Sequence, residues 1–497
     1  MFKYTPENQM DLFDFRTGFE TRLNPENRWV KLSQIIDWDK IAGLYAKNFP
    51  SNRGAGTIDA RIVIGALIIK HIEGKDDRGT IEAIQENPYM QYFLGLNEFS
   101  HRPLFDPSLF VHIRKRFGQE AFDKLNQSII REANKEVGKE DKKERSQDEG
   151  ENGGTPANKG KLQLDATACE ADISYPTDLG LLNDAREKSE ELIDTLYKKL
   201  ELEKKPRTYR RIARKKFLNL SKNKRNSRKQ IRKGLREQLG FVGRNIKSID
   251  RLLEEHPDAL GLFKKKGRYK YWLVIQHLYR QQKEMYDQKS HSTGNRIASI
   301  HQPHIRPIVR GKKKNKVEFG PKINVSLDNG YARIDQFSFE AFNESVYLKD
   351  QVEAYKRLHG YYPELVQTDN IYMTRENRKY LKEKSIRHTG KALGRRPKKE
   401  HINRAQAQKL KRERAERNHI EGKFGQGKRK YGLGTILARL EKTQQSWVAA
   451  SFFVMNIIRM STELFWLILE WIIFNQKPTQ NQLKWIRVEG EKLFLEV

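Results

Sequence analysis

Three acidic residues stand where carboxylates could gather into one site. Asp165 lies on the polar face of an alternating segment, Asp369 directly follows a short buried strand, and Glu421 lies in a helical stretch. Sites in α/β sheets collect at the carboxyl ends of strands, so the two aspartates could meet there. Carboxylates bind Mg²⁺ or Mn²⁺, and a pair of such ions can activate an attacking hydroxyl and stabilise a leaving oxygen at a phosphodiester. The three acids therefore predict metal-dependent chemistry on phosphate esters.

Two cations accompany the glutamate. Arg417, Glu421 and Lys428 are spaced i, i+4 and i+11, which on an α-helix places them within a narrow arc of one face. Beside a metal-binding carboxylate, a guanidinium and an ammonium group can hold phosphate oxygens. Three glycines after Glu421 weaken the helix, so Lys428 could instead stand on the loop that follows.

Each acid alone has an ordinary explanation. Asp369 could open a turn, Asp165 could be a polar residue on a half-exposed strand, and Glu421 could be a helix surface residue. Only their combination with Arg417 and Lys428 favours a phosphate-handling site.

The elements that would carry these residues form a mixed α/β series. Lys161–Cys169 alternates apolar and polar residues, and Val317–Ile334 contains the Asp-Asn-Gly turn of a β-hairpin. The series continues with a helix over Ser345–Leu358, a buried strand over Glu364–Thr368, a helix over Thr374–Lys384 and a strand over Ser385–Thr389, before the Glu421 helix. This order predicts a mixed sheet.

The segment before this series, residues 1–136, predicts an all-helical N-terminal domain. Its helical segments are Arg61–Glu73, Thr80–Leu94 and Asp106–Phe117. Three short helices fit a helix-turn-helix-like DNA module, and they fit a bundle used for dimerisation equally well. Residues 137–160 are rich in charge and glycine and have almost no apolar side chains, which predicts a flexible linker.

A helical block at about 183–300 interrupts the α/β series. Within it, Lys204–Arg236 is about half Lys and Arg and contains no acid. A solvated helix face usually mixes both signs for i,i+4 pairing. The run of one sign therefore favours contact with a phosphate backbone through Arg210, Arg211 and Lys215, and a merely solvated face is the alternative.

Composition narrows the choice of partner. The chain has 497 residues, enough for two or three domains, and a net charge of +32. Such a surplus favours a polyanion, DNA or RNA, over a membrane. The apolar stretch Trp447–Phe474 is interrupted by charges, which predicts buried helices rather than a membrane span. The single cysteine, Cys169, excludes a disulfide within the chain and a cysteine-based zinc site, and fits a packing role in a reducing cytosol.

Together these motifs resemble the bacterial insertion-sequence transposases of the DDE class, in the branch with a Tyr-Arg-Glu-Lys signature on its last catalytic helix. Arg417, Glu421 and Lys428 match the last three positions of the signature, whereas Arg414 stands at the tyrosine position. The resemblance extends over DATACEADISYPTDLGLL from Asp165, RPIVRGKKKNKVEFGPK from Arg306, VQTDNIY around Asp369, GKALGRRPK from Gly390, and the N-terminal helices.

The resemblance implies a fold, a site and a cofactor. The fold is an α/β, RNase H-like mixed-sheet catalytic domain over 161–475 with the basic helical block inserted, preceded by the helical domain and followed by a tail at 476–497. Asp165, Asp369 and Glu421 would be catalytic and would bind two Mg²⁺ or Mn²⁺ ions. Further candidates for DNA or phosphate contact are Arg310, Lys312, Arg395, Arg396 and Arg414.

It also implies an activity and its partners. The chain would cut at the ends of its element and join the 3′ hydroxyl to target DNA. Its partners would be double-stranded DNA, as terminal inverted repeats and target, and a second copy in a synaptic complex, at the bacterial nucleoid in the cytoplasm. No membrane and no small-molecule cofactor are expected. The alternatives are a metal-dependent nuclease or domesticated relative without strand transfer, and a non-enzymatic DNA-binding protein in which the acids are incidental.

Overall fold

The computed structural model describes residues 22–46, 58–131, 158–223, 225–263, 267–309, 317–391, 393–394 and 404–474, with residues 40, 44 and 464–474 as backbone only. Residue contacts divide the chain into two compact units. The first contains the described residues of Met1–Cys169, Lys322–Ser338 and Phe342–Val497, and the second those of Glu170–Pro321 and Phe339–Ala341.

The strands form two sheets. In chain order they are β1 (Lys161–Ala168), β2 (Pro307–Val309), β3 (Val317–Phe319), β4 (Lys322–Asp328), β5 (Tyr331–Ser338), β6 (Leu365–Thr368) and β7 (Arg387–His388). The first unit holds a five-stranded mixed sheet in the order β5-β4-β1-β6-β7. In it, β4 pairs antiparallel with β5 and β1, and β6 runs parallel to β1 and β7. The mixed sheet predicted from the sequence is confirmed.

Helices make up most of the rest of the described chain. Those of the N-terminal part are α1 (Arg28–Ile35), α2 (Trp38–Ala46), α3 (Ala60–Glu73), α4 (Asp77–Glu86), α5 (Pro88–Phe93), α6 (Leu109–Arg116) and α7 (119–131). The second unit contains α8 (Asp178–Lys199), α9 (Arg210–Lys222), α10 (Arg228–Glu255), α11 (Leu260–Phe263) and α12 (Arg268–Asp287). The first unit ends with α13 (Leu348–His359), α14 (Arg375–Glu383), α15 (Arg404–Glu416), α16 (Asn418–Lys430) and α17 (Glu441–Phe474).

Strand β1 is covered on both of its faces. Leu162 and Leu164 belong to an apolar cluster with residues of α13, and α16 also packs against β1. Gln163 and Thr167, on the polar face, are buried, and Asp165 between them is half-buried. The strand itself is therefore not half-exposed, because the later helices cover this face.

The N-terminal helices share one apolar core with α17. Nearly all of α3 is buried, and α17 packs against α3, α6 and β5. The predicted helix over Thr80–Leu94 is two helices, because Pro88 begins α5 and the side chain of Asn87 caps it by accepting the amide hydrogens of Tyr89 and Met90. Cys169 is buried in the same core. Within the described part of the chain, no helix is both long enough and apolar enough to cross a membrane.

The second unit has its own apolar core, formed mainly by α8, α10 and α12. The longest of its helices, α10, contacts α8, α9 and α12, and begins with a capping box in which Ser227 and Gln230 exchange side-chain and backbone hydrogen bonds. The predicted absence of strands from 183–300 agrees with the described residues of that range. The predicted domain boundaries stay predictions, and the predicted linker (up to residue 157) and tail lie outside the described residues.

Candidate active site

Asp165 and Asp369 lie on neighbouring parallel strands. The β1–β6 register pairs Leu164 with Thr368, so the next position places Asp165 beside Asp369, at the strand spacing of about 4.8 Å. Asp369 follows the last residue of β6, is exposed, and accepts the backbone N–H of Asn370 at 2.7 Å. Strand pairing thus predicts adjacent backbone positions for the two aspartates.

Two glutamines on the same strands hold the following helix. Gln163 and Gln367 are register partners, and each lies two residues before an aspartate on the same face of the sheet. The Gln163 amide donates to Gln367 Oε1 at 2.8 Å and to the Glu416 carbonyl at 2.9 Å. The Gln367 amide donates to the Glu413 carbonyl at 2.7 Å and to Glu416 Oε2 at 3.1 Å. These two amides fix the carboxyl end of α15 on the sheet.

The same hydrogen bonds accompany a break between α15 and α16 at Arg417. With the Glu416 carbonyl accepting from Gln163, the N–H of Ile420 bonds instead to the Arg417 carbonyl at 3.2 Å. Arg417 is the N-cap of α16, with φ −53° and ψ −27°, so the path of the chain stays nearly helical. The predicted single helix is therefore two, joined at the arginine of the signature.

Apolar and polar contacts together fix α16. Ile420 and Phe424 are buried in the core, and Lys423 donates to the Gly330 carbonyl at the β4–β5 turn at 2.9 Å. Burial lowers the pKa of Lys423 to about 8. Glu421 lies on the outer side of this helix, with 53% of its side chain exposed.

Arg417 joins two of the three predicted acids. Its guanidinium lies 2.7 Å from Glu421 Oε1 and 3.4 Å from Asp165 Oδ2. Asp165 also accepts the backbone N–H of Ala166 at 2.8 Å. A strand carboxylate and a helix carboxylate, far apart in sequence, therefore meet at one cation.

Burial and neighbouring acids perturb Asp165. Burial raises the pKa of its carboxyl to about 6, Arg417 opposes the rise, and Glu344 and Glu421 add to it. Glu344 pairs with Lys322 at 2.7 Å. Sequence reasoning missed Glu344, because nothing distinguishes it from other surface acids until the chain after β5 brings it back to the sheet.

A buried tyrosine, Tyr372, lies near Asp165 and bonds to strand β4. The Tyr372 hydroxyl donates to Asn324 Oδ1 at 2.6 Å, and burial, with Glu344 and Asp165, raises its pKa. Among the residues that the structure describes, no three His, Cys, Asp or Glu side chains are grouped closely enough to hold a metal ion.

The other predicted contact residues fall in three places. Arg310, Lys312, Arg395 and Arg396 lie outside the described residues. Arg210 forms ion pairs with Glu190 at 3.0 Å and Asp194 at 2.8 Å, so its charge is balanced by α8. Arg211 and Lys215 are exposed on α9.

The remaining signature positions are both helical. Arg414, at the tyrosine position, donates from Nε to the Thr389 carbonyl at 2.9 Å and so holds α15 to the end of β7. Lys428 lies in the last turn of α16 rather than on a following loop. The three glycines do not end the helix, because it is held by its buried residues.

The sequence did contain a signal for the two glutamines. Both strands carry Gln-X-Asp, as Gln163-Leu164-Asp165 and Gln367-Thr368-Asp369. A glutamine at the same face as an aspartate on a buried strand needs a hydrogen-bond partner, and the repeat of this pattern points to one shared partner, which is α15.

Comparison with known proteins adds two family matches. A family model described as a transposase DDE domain matches residues 366–458, and one described as a transposase domain (DUF772) matches residues 18–116. The first match includes Asp369 and Glu421 but begins after Asp165. An uncharacterized protein, ORF8 in the nfe locus of Rhizobium meliloti, is 27% identical over 168 residues, which cover 33% of this chain and 72% of that protein. No solved structure matches the chain.

Proposed function

We propose that the chain is a bacterial insertion-sequence transposase of the DDE class, which the two family matches support, and that it cuts DNA at the ends of its element and joins the freed 3′ hydroxyl to target DNA. The observation that carries this proposal is the contact of Arg417 with both Asp165 and Glu421. This contact joins a strand carboxylate to a helix carboxylate, and the β1–β6 register supports a position for Asp369 next to Asp165. We propose that this sheet is RNase H-like and that the second unit is inserted between β1 and β4.

Asp165, Asp369 and Glu421 are the proposed ligands of Mg²⁺ or Mn²⁺. Their oxygens are the donors that these cations prefer. The raised pKa of Asp165, caused by burial with Glu344 and Glu421 adding to it, fits carboxylates that a bound cation would relieve. When two ions are bound, they supply activation of the attacking hydroxyl and stabilisation of the leaving oxygen.

The cations of the site would bind the phosphate. Arg417 holds two carboxylates in the structure, and its planar guanidinium is equally suited to bind a phosphate. We propose that it changes from the acids to the scissile phosphate when DNA and metal bind. Lys428 would contact the DNA strand that carries this phosphate, and Arg414 would act mainly by holding α15. Arg211 and Lys215, with the cations outside the described residues, stay proposed DNA contacts.

The proposal is tested with the whole chain and DNA carrying the element ends. Mg²⁺-dependent cutting at the ends, followed by joining of a pre-cut donor with a free 3′ hydroxyl to a plasmid, is the expected result. Cutting without joining would identify a nuclease instead. Binding with no Mg²⁺-dependent change in the DNA would identify a non-enzymatic DNA-binding protein. A second copy in the complex, also proposed, is checked by the mass of the protein–DNA assembly.

A further inference from the structure

One face of α10 carries five cations with a glycine among them, a row that we name the α10 stripe. Its members are Lys229, Lys233, Arg236, Gly240, Arg244 and Lys247, and all are exposed. Their spacing of four, three, four, four and three residues places them within an arc of about 80° at 100° per residue. The sequence had directed attention to 204–236 and to α9, whereas the stripe extends beyond that range along α10.

The stripe has one sign of charge. Between Asn226 and Lys247 the sequence has a single acid, Glu237, which lies off the stripe and pairs with Lys216 of α9 at 3.0 Å. Within the described chain, no ion pair joins a stripe cation to an acid. A helix face that only meets water usually mixes both signs. Past Lys247 the mixture returns, where Arg251 pairs with Glu255.

The middle of the stripe is a glycine with no internal reason to be one. A Cβ added at Gly240 would meet no atom within 4 Å, whereas at Gly234 it would meet Leu220 and at Gly243 it would lie 2.7 Å from the Tyr279 hydroxyl. Glycine in the interior of an exposed helix destabilises it relative to alanine. Packing inside the protein therefore accounts for Gly234 and Gly243 but not for Gly240, where the space above the helix is open to an external backbone.

Arg244 is the one member of the row with described side-chain contacts, which include a hydrogen bond from its Nε to the Gly240 carbonyl at 3.2 Å. The Arg244 guanidinium lies 4.7 Å from the ring of Tyr209 and 5.0 Å from that of Phe241. From Lys229 to Lys247 the helix rises about 27 Å at 1.5 Å per residue. A DNA duplex rises about 3.4 Å per base pair, so this length corresponds to roughly eight base pairs.

We infer that the α10 stripe binds the phosphate backbone of double-stranded DNA, with Gly240 as the point of closest approach. The inference rests on the proposed function only in taking DNA as the partner. It concerns the second unit and needs neither the acids nor a metal ion. It therefore predicts binding to DNA of any sequence.

The first test measures binding of the full chain to a 30-bp DNA duplex in EDTA between 50 and 200 mM KCl. The stripe variant carries Lys229→Gln, Lys233→Gln, Arg236→Gln and Lys247→Gln. The control variant replaces four exposed cations of α8 and α12: Lys198→Gln, Lys199→Gln, Lys270→Gln and Arg280→Gln. Each lost phosphate contact reduces the slope of log binding constant against log salt concentration by about 0.9. The four substitutions of the stripe variant are therefore expected to reduce this slope by about 3.6, and those of the control variant by far less.

The second test changes size without changing charge. Gly240→Gln is expected to weaken duplex binding at least about fivefold, with an unchanged thermal midpoint or a higher one, because glutamine favours helix. Gly261→Gln, also in open space on a helix of the second unit, is expected to bind like the wild type.

An unchanged salt slope in the stripe variant, equal losses in stripe and control variants, or wild-type binding by Gly240→Gln would each overturn the inference. A loss confined to duplex RNA would overturn it as well. These binding results are separate from the proposed function, since a stripe variant that binds normally could still cut DNA in Mg²⁺, and a cleavage-dead protein could still show the full salt slope.

Discussion

Replacement of Gln367 by methionine is predicted to uncouple the Glu421 helix from the sheet. Gln367 is fully buried, and methionine has a similar volume. The change removes hydrogen bonds to the Glu413 carbonyl at 2.7 Å, to Glu416 Oε2 at 3.1 Å and from Gln163 at 2.8 Å. Glu413 is the only fully buried residue among the described residues of α15, so apolar burial compensates little.

The magnitude follows from the groups left without partners. A buried donor or acceptor that loses its partner costs about 1–3 kcal/mol, and Gln367→Met leaves the Glu413 carbonyl and the Gln163 amide short of one partner each, or about 2–6 kcal/mol together. The cost falls on the docking of α15, and therefore on the position of Arg417 and Glu421. A displacement of about 1 Å at a reacting group can reduce a rate about 100-fold.

Two assays separate local from global effects. The rate of metal-dependent DNA cleavage is expected to fall about 10- to 100-fold, while urea unfolding shows only a moderate loss of unfolding free energy. Gln91→Met is the matched control, because Gln91 is also buried and bonds to the Ile84 and Ser100 carbonyls at 3.0 and 2.8 Å, away from the acids. It is expected to lose stability and to retain cleavage at a temperature where it is folded.

A double-mutant cycle completes this test. Since Gln163 and Gln367 bond to each other, the double methionine variant is expected to lose less cleavage activity than the two single losses combined, with a coupling of at least about 0.5 kcal/mol. Wild-type cleavage by Gln367→Met, or a loss equal to that of Gln91→Met, would refute the account of how α15 is held.

Two further predictions concern stability. Burial raises the pKa of Asp123 to about 7 from 3.8, so the protonated carboxyl stabilises the fold below pH 4 and this stabilisation is lost as pH rises through 7. The loss is worth up to roughly 4 kcal/mol of unfolding free energy. Denaturant titrations at several pH values should show a flatter fall over this window for Asp123→Asn. Asp77 pairs with the buried Lys70 at 2.8 Å and with Arg114 at 2.7 Å, so Asp77→Ala should cost about 3–5 kcal/mol by leaving two buried cations unpaired, whereas the exposed Glu82→Ala should cost almost nothing in the same titration.

Local chemistry explains which elements the sequence predicted well. The β4–β5 hairpin follows from Asn329 and Gly330, which adopt φ of 48° and 84° as a tight hairpin turn requires. Strand β1 and helix α3 follow from apolar spacing over Lys161–Ala168 and Ala60–Glu73. The break at Pro88 was missed, although its signal is local, because a proline preceded by a capping asparagine starts a new helix.

Contacts between distant segments explain what the sequence did not predict. The break at Arg417 depends on hydrogen bonds from two strand glutamines to α15, and no proline or glycine marks it. Glu344 approaches Asp165 only through the return of the chain after β5. Arg210 was expected at DNA because of its basic surroundings, but Glu190 and Asp194 lie on another helix and pair with it. In each case the partner lies beyond the range of a local pattern.

The central claim is that Asp165, Asp369 and Glu421 act together as metal ligands in DNA transfer. Its most direct test is strand transfer of a pre-cut 3′-hydroxyl donor in Mg²⁺ by Asp165→Asn, Asp369→Asn and Glu421→Gln, with the exposed Asp350→Asn as control. The account predicts that each of the three abolishes transfer while end binding in EDTA and the control remain at wild-type level. Transfer at near wild-type rate by any one of the three would contradict the assignment at that residue.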